Sequence, residues 1–230
     1  MKLLITGASR GIGLEMVRSS MERGWRVYAC CRHPQQAKSL LGLAALAPDK
    51  ISVHIADMRE LATLQALAYE LRNESIDMLI NNAGVYGPDQ NRFGEVDVAG
   101  WQDAFQVNCI APLKLAELMI GQLHGGNQKI IACLSSKMAS MADNGSGGSY
   151  IYRSSKAALN AVVKSMSIDL AAQGIKAVAL HPGWVKTDMG GPHAEISTAE
   201  SVSKMFEILL SLDTSDSGRF IDIDGSDIPW

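Results

Sequence analysis

The feature that most constrains the fold is a regular alternation of short apolar runs with longer helical patterns along all 230 residues. Strands that are apolar almost throughout suit a parallel sheet that is covered on both faces. The alternation therefore predicts an α/β fold: a Rossmann-type, doubly wound, seven-stranded and mostly parallel sheet with helices on both faces. The strands are expected at 2–6, 26–31, 51–55, 77–81, 129–134, 176–180 and 220–223. The helices are expected at 11–23, 35–47, 60–73, 100–123, 151–172 and 199–212.

Bulk composition narrows the class of protein. Hydrophobic residues make up 47% of the chain and charged residues 20%, as in globular domains with a sizeable core. No linker rich in Pro or Ser divides the chain, so we predict one domain over 1–230. A net charge of -3 without a basic run argues against a nucleic-acid partner. The first apolar run ends at Thr6, too early for a signal peptide, and no run is long enough to cross a membrane. We therefore expect a cytoplasmic protein.

The cysteines and histidines carry no metal-binding pattern. Cys30, Cys31, Cys109 and Cys133 include no Cys-x-x-Cys pair, and the 5 histidines are scattered. Buried, reduced thiols are the expected state of these cysteines, and no metal is expected.

A glycine-rich segment, Thr6-Gly-Ala-Ser-Arg-Gly-Ile-Gly13, follows the first strand and opens the first helix. Glycines in this place let the backbone approach a pyrophosphate, whose charge is met by free N–H groups and the helix dipole. The spacing differs from the common Gly-x-Gly-x-x-Gly pattern. A plain strand-to-helix turn is the alternative. Three glycines within seven residues at this boundary, Gly7, Gly11 and Gly13, argue against it. The segment predicts a bound nucleotide cofactor.

The end of the second strand bears on the choice of cofactor. An acidic residue there would bond the ribose hydroxyls of NAD and repel a 2′-phosphate. The chain has Cys31 at that position, Arg32 after it and Arg10 inside the glycine loop. Two arginines and no carboxylate favour a 2′-phosphate, unless both are ordinary surface arginines. We therefore expect NADP(H) as the preferred cofactor, with NAD(H) as the alternative.

Tyr152 and Lys156 are four residues apart in a helical pattern, so they share one helix face. A tyrosine can give a proton to an alkoxide, and a nearby cation lowers its usual pKa of about 10. Lys156 is therefore expected to bring the phenol pKa toward neutrality, where acid catalysis is efficient. A second donor is needed to polarise a carbonyl, and Ser135 and Ser136 follow the fifth strand.

These motifs, in this order along the chain, resemble those of the short-chain dehydrogenase/reductase family. Asn81-Asn-Ala-Gly84 and His181-Pro-Gly183 extend the resemblance, which covers essentially the whole chain. The segments 183–190 and 218–230 are similar to those of sniffer-type carbonyl reductases and C-factor-like proteins. The resemblance implies an NADPH-dependent reductase that transfers hydride to an aldehyde, ketone or quinone, with Tyr152 as general acid.

The resemblance also implies roles for individual residues. The catalytic set is Asn108, Ser136, Tyr152 and Lys156. Asn108 would hold a water that links to the lysine. Ser136 is preferred to Ser135 because it is second in its pair, with the small Ala139 three residues on, while Ser140, Ser146 and Ser149 are fallbacks. The stretch between serine and tyrosine is longer than in many members, and a Gly/Ser-rich segment, 143–149, holds the extra residues.

The implied cofactor contacts begin in the glycine loop and end after the sixth strand. Asp57 would bond the adenine amino group, although it could also cap the following helix. The segment 183–185 would touch the nicotinamide carboxamide. The full set is Gly7, Ser9, Arg10, Gly11, Ile12, Gly13, Arg32, Asp57, Met58, Asn82, Ala83, Gly84, Tyr152, Lys156, Pro182, Gly183, Val185 and Thr187.

Two other functions compete with carbonyl reduction. One is a nucleotide-binding signalling or scaffold protein with little turnover, as the C-factor resemblance allows; the other is an NAD-dependent dehydrogenase. The intact catalytic set argues against the first, and the two arginines against the second. The expected partner is a small carbonyl compound, bound in an open site. Candidates for its lining are Met138, Met141 and Trp184, with ordinary core or rim packing as the alternative for each. The family resemblance implies a homodimer or homotetramer, with a monomer as the alternative.

Overall fold

All seven expected strands form one sheet in the computed structural model, which describes residues 1–89 and 91–230. The strands run in the order β3-β2-β1-β4-β5-β6-β7, and every neighbouring pair is parallel. The predicted fold class is confirmed. The strand bounds are β1 Lys2–Thr6, β2 Arg26–Cys31, β3 Ile51–Ile55, β4 Met78–Asn81, β5 Ile130–Leu134, β6 Lys176–Leu180 and β7 Phe220–Ile221.

Three strands are shorter than expected: β4 starts one residue late, at Met78, and β5 and β7 are shortened for local reasons. β5 starts one residue late because Lys129 has a left-handed backbone, with φ of 52°. β7 ends at Ile221 because a turn follows, in which the Asp222 N–H donates to Ser226 O at 2.8 Å. Neither change alters the register of the sheet.

The helices occupy the spaces between the strands and begin with different caps. α8 starts after Ser197, whose hydroxyl accepts from the Glu200 N–H at 3.1 Å. Asp97 caps α4 by accepting from the Ala99 and Gly100 N–H groups at 3.0 and 3.1 Å. Both contacts satisfy donors that a helix start leaves free. The bounds are α1 Gly11–Glu22, α2 Lys38–Leu46, α3 Leu61–Glu70, α4 Val98–Phe105, α5 Ala111–Leu118, α6 Ile120–His124, α7 Tyr150–Asp169 and α8 Thr198–Ser211.

The expectation of one regular helix over 100–123 is wrong. A π-helical segment, Gln106–Ile110, separates α4 from α5, and α6 follows as a short piece. Pro112 is a cause that the sequence contains: it has no N–H, so the Asn108 carbonyl lacks its usual donor four residues on. Such π segments occur often at functional sites.

Two apolar cores lie on opposite faces of the sheet. In β1, Leu4 faces the core beneath α3, α5 and α7, whereas Leu3 and Ile5 face the core beneath α1, α2 and α8. Alternating faces that are both buried explain why the strands are apolar throughout. Each fully buried aliphatic side chain of this kind contributes about 1.5–3 kcal/mol relative to exposure.

The order of the strands places one crevice at their carboxyl ends. From β1 the chain winds outward to β2 and β3, then returns to pair β4 on the other side of β1. Adjacent βα connections therefore leave in opposite directions, which opens a crevice between the ends of β1 and β4. In the part of the chain that the structure describes, no helix is long and apolar enough to cross a membrane.

Candidate active site

A cleft of about 550 Å³ occupies the crevice at the carboxyl ends of β1 and β4. Ligands bind at this place in doubly wound sheets. All the expected cofactor residues except Gly183 and Val185 line the cleft. Val185 is instead buried and paired in a β-bridge with Ile196. Residues that the sequence reading did not single out also line it: Ala56, Arg59, Val85, Val107, Leu134, Lys186, Asp188 and Met189.

The glycine loop is packed so closely that two of its glycines have no room for a side chain. Gly7 has φ of 67°, and a Cβ on it would lie 2.8 Å from Asn82 Nδ2. A Cβ on Gly13 would overlap the Gly7 carbonyl oxygen and lie 2.6 Å from the same amide. Asn82 Nδ2 donates to Thr6 O at 2.8 Å, and the Thr6 hydroxyl accepts from the Asn82 N–H at 3.1 Å. The ends of β1 and β4 are thereby joined, with the first N–H groups of α1 beside them.

The cleft carries more positive than negative side chains. Arg10 donates to Asp188 at 2.8 Å across the opening, but both side chains are more than three-quarters exposed (78% and 79%), so this pair contributes little stability. Arg59 is held by two bonds of 2.6 Å to Asp103. Arg32 and Lys186 form no ion pair with any carboxylate in 1–89 or 91–230. Two cations are therefore available to an anion at the surface of the cleft.

Asp57 follows β3, and its side chain closes a turn there; α3 begins after Glu60 without a side-chain cap, so the alternative role of Asp57 as a helix cap is not seen. Its carboxylate accepts from the Arg59 N–H at 3.0 Å, and its own N–H donates to the Thr63 hydroxyl at 3.0 Å. Next to it, Met58 is buried and its carbonyl accepts from Gln106 Nε2 at 3.0 Å. Both residues line the cleft, so the turn leaves Asp57 at the surface that a ligand would contact.

Tyr152 lies in the first turn of α7 and is buried. Burial raises the pKa of its phenol to about 12, and interaction with the Ser136 hydroxyl lowers that pKa by a smaller amount. The expectation that this pKa falls toward neutrality is therefore wrong for the protein alone. Desolvation of the phenolate outweighs the effect of any nearby cation, because charge is costly in an apolar interior.

Lys156 is one turn further along α7, and its side chain is also buried. Its Nζ donates to the Leu134 carbonyl at 2.8 Å and lies 5.9 Å from the centre of the Tyr152 ring. Burial lowers the pKa of Lys156 to about 8. The two groups of the Tyr-Lys pair thus lie close together on one helix face, as predicted, but burial disfavours the charged form of each.

Ser136 lies two residues after β5 and caps the short 3₁₀ helix Lys137–Ala139. The other candidate serines are hydrogen-bonded to other groups. The Ser136 hydroxyl accepts from the Met138 N–H at 3.2 Å and interacts with the Tyr152 phenol. The Ser135 hydroxyl donates to Asn160 Oδ1 at 2.6 Å, which satisfies it within the core. The fallback hydroxyls have other partners: Ser140 accepts from Asp143 N, Ser146 from Arg153, and Ser149 is bonded to the Tyr86 hydroxyl.

Asn108 lies in the π-helical segment and is completely buried. Its amide binds both backbone groups of Val85, accepting at 2.9 Å and donating at 2.8 Å, and also donates to Ser155 at 3.0 Å. A methyl group on Gly84 would lie 3.3 Å from Asn108 Oδ1 and 3.4 Å from Lys156 Nζ. The side chain therefore fixes the segment after β4 beside the lysine.

Tyr86 is a site residue that the sequence reading missed. Its ring stacks on that of Tyr152 with 4.7 Å between centroids and 27° between planes. Its hydroxyl is 2.9 Å from that of Ser149, just before α7. The only signal was its place directly after the Asn-Ala-Gly-Val segment.

The residues expected around an open substrate site differ in exposure. Met141 and Trp184 are exposed, and the Trp184 indole N–H donates to the Gly190 carbonyl at 2.8 Å. Met138 is partly buried. The four cysteines are free and buried. Among the described residues, no group of three or more His, Cys, Asp or Glu side chains could hold a metal ion.

Comparison with known proteins shows the family. The model of the family described as short chain dehydrogenase matches residues 2–196. The chain belongs to the short-chain dehydrogenase family. It is an oxidoreductase of that family, as the order of its motifs predicted.

Similar proteins include C-signal and two carbonyl reductases. C-signal of Myxococcus xanthus is 43% identical over 167 residues, which cover 73% of this chain and 100% of that protein. The carbonyl reductase Sniffer of D. melanogaster superposes with a TM-score of 0.93 at 32% identity, covering 100% of this chain and 99% of that one. The NADPH-bound carbonyl reductase from chicken fatty liver superposes with a TM-score of 0.92 at 33% identity, covering 100% and 98%. The expected resemblance to sniffer-type reductases and C-factor-like proteins is confirmed.

Proposed function

We propose that the protein is an NADPH-dependent reductase that transfers hydride to an aldehyde, ketone or quinone, with Tyr152 as general acid. One domain, 1–230, would carry both the cofactor site and the substrate site. The observation that supports the proposal is that Tyr152 and Lys156, both buried, line one end of a cleft whose other end is the glycine loop, with the Ser136 hydroxyl beside the Tyr152 phenol.

The residues of the cleft fit NADP(H) better than NAD(H). The glycine loop lines the cleft, and the start of α1 beside it supplies N–H groups from which a pyrophosphate can accept hydrogen bonds. β2 ends at Cys31 and Arg32 follows it, so neither position has a carboxylate to repel a 2′-phosphate. Arg32 has no carboxylate partner among the described residues, so its guanidinium is available for a phosphate. Arg10 could join it by exchanging Asp188 for the ligand.

The protein's own groups would bind and protonate the carbonyl oxygen. When bound, NADPH supplies the hydride from its nicotinamide ring. The Ser136 and Tyr152 hydroxyls would donate to the oxygen as negative charge develops on it. Tyr152 Oη would then release its proton to that oxygen, and the Lys156 ammonium would stabilise the phenolate left behind.

The raised phenol pKa supports the reductive direction. A pKa of about 12 keeps Tyr152 protonated at neutral pH, which is the form that must donate a proton to an alkoxide. Oxidation of an alcohol would need the phenolate as base, and burial disfavours that form.

Turnover with a carbonyl panel tests the proposal. The absorbance of NADPH or NADH would be followed with aldehydes, diketones, quinones and isatin, for the wild type and Tyr152→Phe. We expect NADPH to be preferred, and the phenylalanine variant to lose a factor of about 10²–10⁴ in kcat/KM while still binding NADPH. Tyr69→Phe is the matched control, because Tyr69 is exposed on α3 and does not line the cleft.

Two results would contradict the proposal. Wild-type protein that binds NADPH but reduces no carbonyl would favour a signalling or scaffold function, in line with the C-signal relative. Turnover that survives in Tyr152→Phe at the wild-type rate would remove Tyr152 as the acid.

A further inference from the structure

We propose that Arg153 is a positioning residue, which ties the turn carrying Ser136 and the long loop 143–149 to the catalytic helix α7. The part of the inference that concerns catalysis rests on the proposed function, since it assigns Ser136 a role there. Arg153 directly follows Tyr152 in the motif Tyr152-Arg-Ser-Ser-Lys156, and neither the cofactor nor the acid assignment uses it.

Arg153 reaches two separate segments with the two ends of its guanidinium. Nη1 donates to the Met138 carbonyl at 3.2 Å, and Nη2 donates to the Ser146 hydroxyl at 2.8 Å. Met138 is also the residue whose N–H donates to the Ser136 hydroxyl at 3.2 Å. One residue, Met138, therefore joins the arginine on α7 to the serine expected to bind the carbonyl oxygen.

The surroundings of the cation are unusual for a surface arginine. Arg153 is partly buried, and its Nε atom is buried without a hydrogen-bond partner. No carboxylate lies within ion-pair distance of it in the described part of the chain. Burial of a charge without a counter-ion is costly, so stability alone is a poor reason for this arrangement. A planar fork that holds two acceptors at fixed positions is something only arginine offers.

Arg153 binds the loop 143–149, whose composition gives its backbone unusual conformational freedom. Segment 143–149 contains three glycines, and Gly147, Gly148 and Ser149 all have positive φ, of 63°, 63° and 49°. At its start the Asp143 N–H donates to Ser140, and at its end Ser149 bonds Tyr86. Between these points Arg153 binds Ser146. The extra length before Tyr152 is thereby attached to the helix that carries the tyrosine.

Arg153→Gln tests the proposal, with Arg23→Gln as the matched control. Arg23 also donates to a backbone carbonyl and a serine hydroxyl, both of Ser19, and it does not line the cleft. We expect kcat per NADPH-binding site to fall by about 10- to 100-fold in Arg153→Gln, because the serine donor is displaced. Affinity for NADPH should stay within about twofold of wild type. The alkaline limit of the kcat profile should move, since Ser136 acts on the Tyr152 phenol.

Two further measurements separate positioning from general destabilisation. In a Ser136→Ala background, Arg153→Gln should cost much less than in the wild type, because its effect passes through the serine. Hydrogen exchange of the amides in 137–149 should accelerate, while that of 157–169 in α7 should not. Arg153→Lys, which keeps the charge but not the fork, should recover part of the turnover.

The outcomes decide between the alternatives even if one variant folds poorly. Ser146→Ala removes one arm only and should accelerate exchange in 143–149. Unchanged exchange in both Arg153→Gln and Ser146→Ala, or equal losses of kcat with and without Ser136, would overturn the inference. If the wild type reduces no carbonyl, the proposed function fails, and the exchange data still decide whether Arg153 holds the loop.

Discussion

The two ends of the cleft differ in what forms their surface, which is backbone at one end and side chains at the other. At the cofactor end the backbone forms the surface: Gly7 and Gly13 pack against Asn82, and the charged side chains, Arg10 and Arg32, are exposed. At the proposed catalytic end, Tyr152 and Lys156 line the cleft, Ser136 and Asn108 lie beside them, and all four side chains are buried.

This difference separates what controls binding from what controls chemistry. Close backbone packing depends on shape and is insensitive to pH, while exposed arginines are screened by salt. Buried ionisable groups respond to the medium around them, and burial moves the pKa values of Tyr152 and Lys156 in opposite directions. Cofactor affinity should therefore depend on steric fit and ionic strength, whereas turnover at the proposed catalytic end should depend on pH.

The largest expected effect is at the catalytic end, in Lys156→Met. The pKa of Lys156 falls from its usual 10.5 to about 8 on folding, so burial of the ammonium costs about 3 kcal/mol at neutral pH. The variant should lose carbonyl reduction, yet unfold at a higher free energy than the wild type at pH 7. Urea titrations measure the difference, and Lys164→Met, an exposed lysine on the same helix, is the control.

The stability gained by Lys156→Met should depend on pH in a direction that the pKa of Lys156 sets. Between pH 8 and 10.5 the unfolded chain holds the lysine proton and the folded protein does not, so wild-type stability rises with pH. The advantage of Lys156→Met should shrink over this window. Tyr152, whose pKa is raised from 10.0 to about 12, opposes the rise only above pH 10. An advantage that stays constant from pH 7 to pH 10 would mean that the lysine is not buried as a cation.

At the cofactor end the largest effect is expected from Gly13→Ala. The new methyl group would overlap the Gly7 carbonyl, and such overpacking costs about 1–3 kcal/mol of stability. NADPH affinity should fall as the loop moves, with no change in the pH profile of kcat at saturating NADPH. Thermal unfolding and NADPH titration measure both. Gly42→Ala in α2 is the control, because nothing lies within 4 Å of the added atom, and there the substitution should stabilise slightly.

The smallest expected effect is that of Arg32→Ala, which tests the basis of the preference for NADPH over NADH. Arg32→Ala should weaken NADPH binding by about tenfold at low salt, through loss of a charge-assisted bond to the 2′-phosphate. NADH binding should hardly change, and the NADPH loss should shrink as salt is added. Fluorescence titrations with both cofactors measure this, beside Arg18→Ala, whose arginine pairs with Glu15 on α1 and does not line the cleft. Equal losses for NADPH and NADH would place Arg32 away from the 2′-phosphate.

Most of the fold could be predicted from local patterns in the sequence. The strands could be predicted because each buried run is apolar on both faces, and the glycine loop because its spacing joins a strand to a helix start. Pro112 is present in the sequence, but its consequence, a π segment around Asn108, depends on which contacts the interrupted helix makes. The contacts of Tyr86 and Arg153 could not be predicted from the sequence. The partner of Tyr86, Tyr152, is distant along the chain, and Arg153 binds an irregular loop.

The sequence by itself determined the succession of strands and helices along the chain and which segments meet at the carboxyl ends of the strands. A parallel, doubly wound sheet brings the segments after β1, β4, β5 and β6 to one edge, whatever their side chains are. The tertiary structure alone decided how deeply each of those side chains is covered. Burial depends on every element around a group, and it turned the expected acidic tyrosine into a phenol with a pKa of about 12 beside a lysine with a pKa of about 8. Spacing along a helix places two groups together, but the surrounding packing sets the dielectric in which their charges must exist.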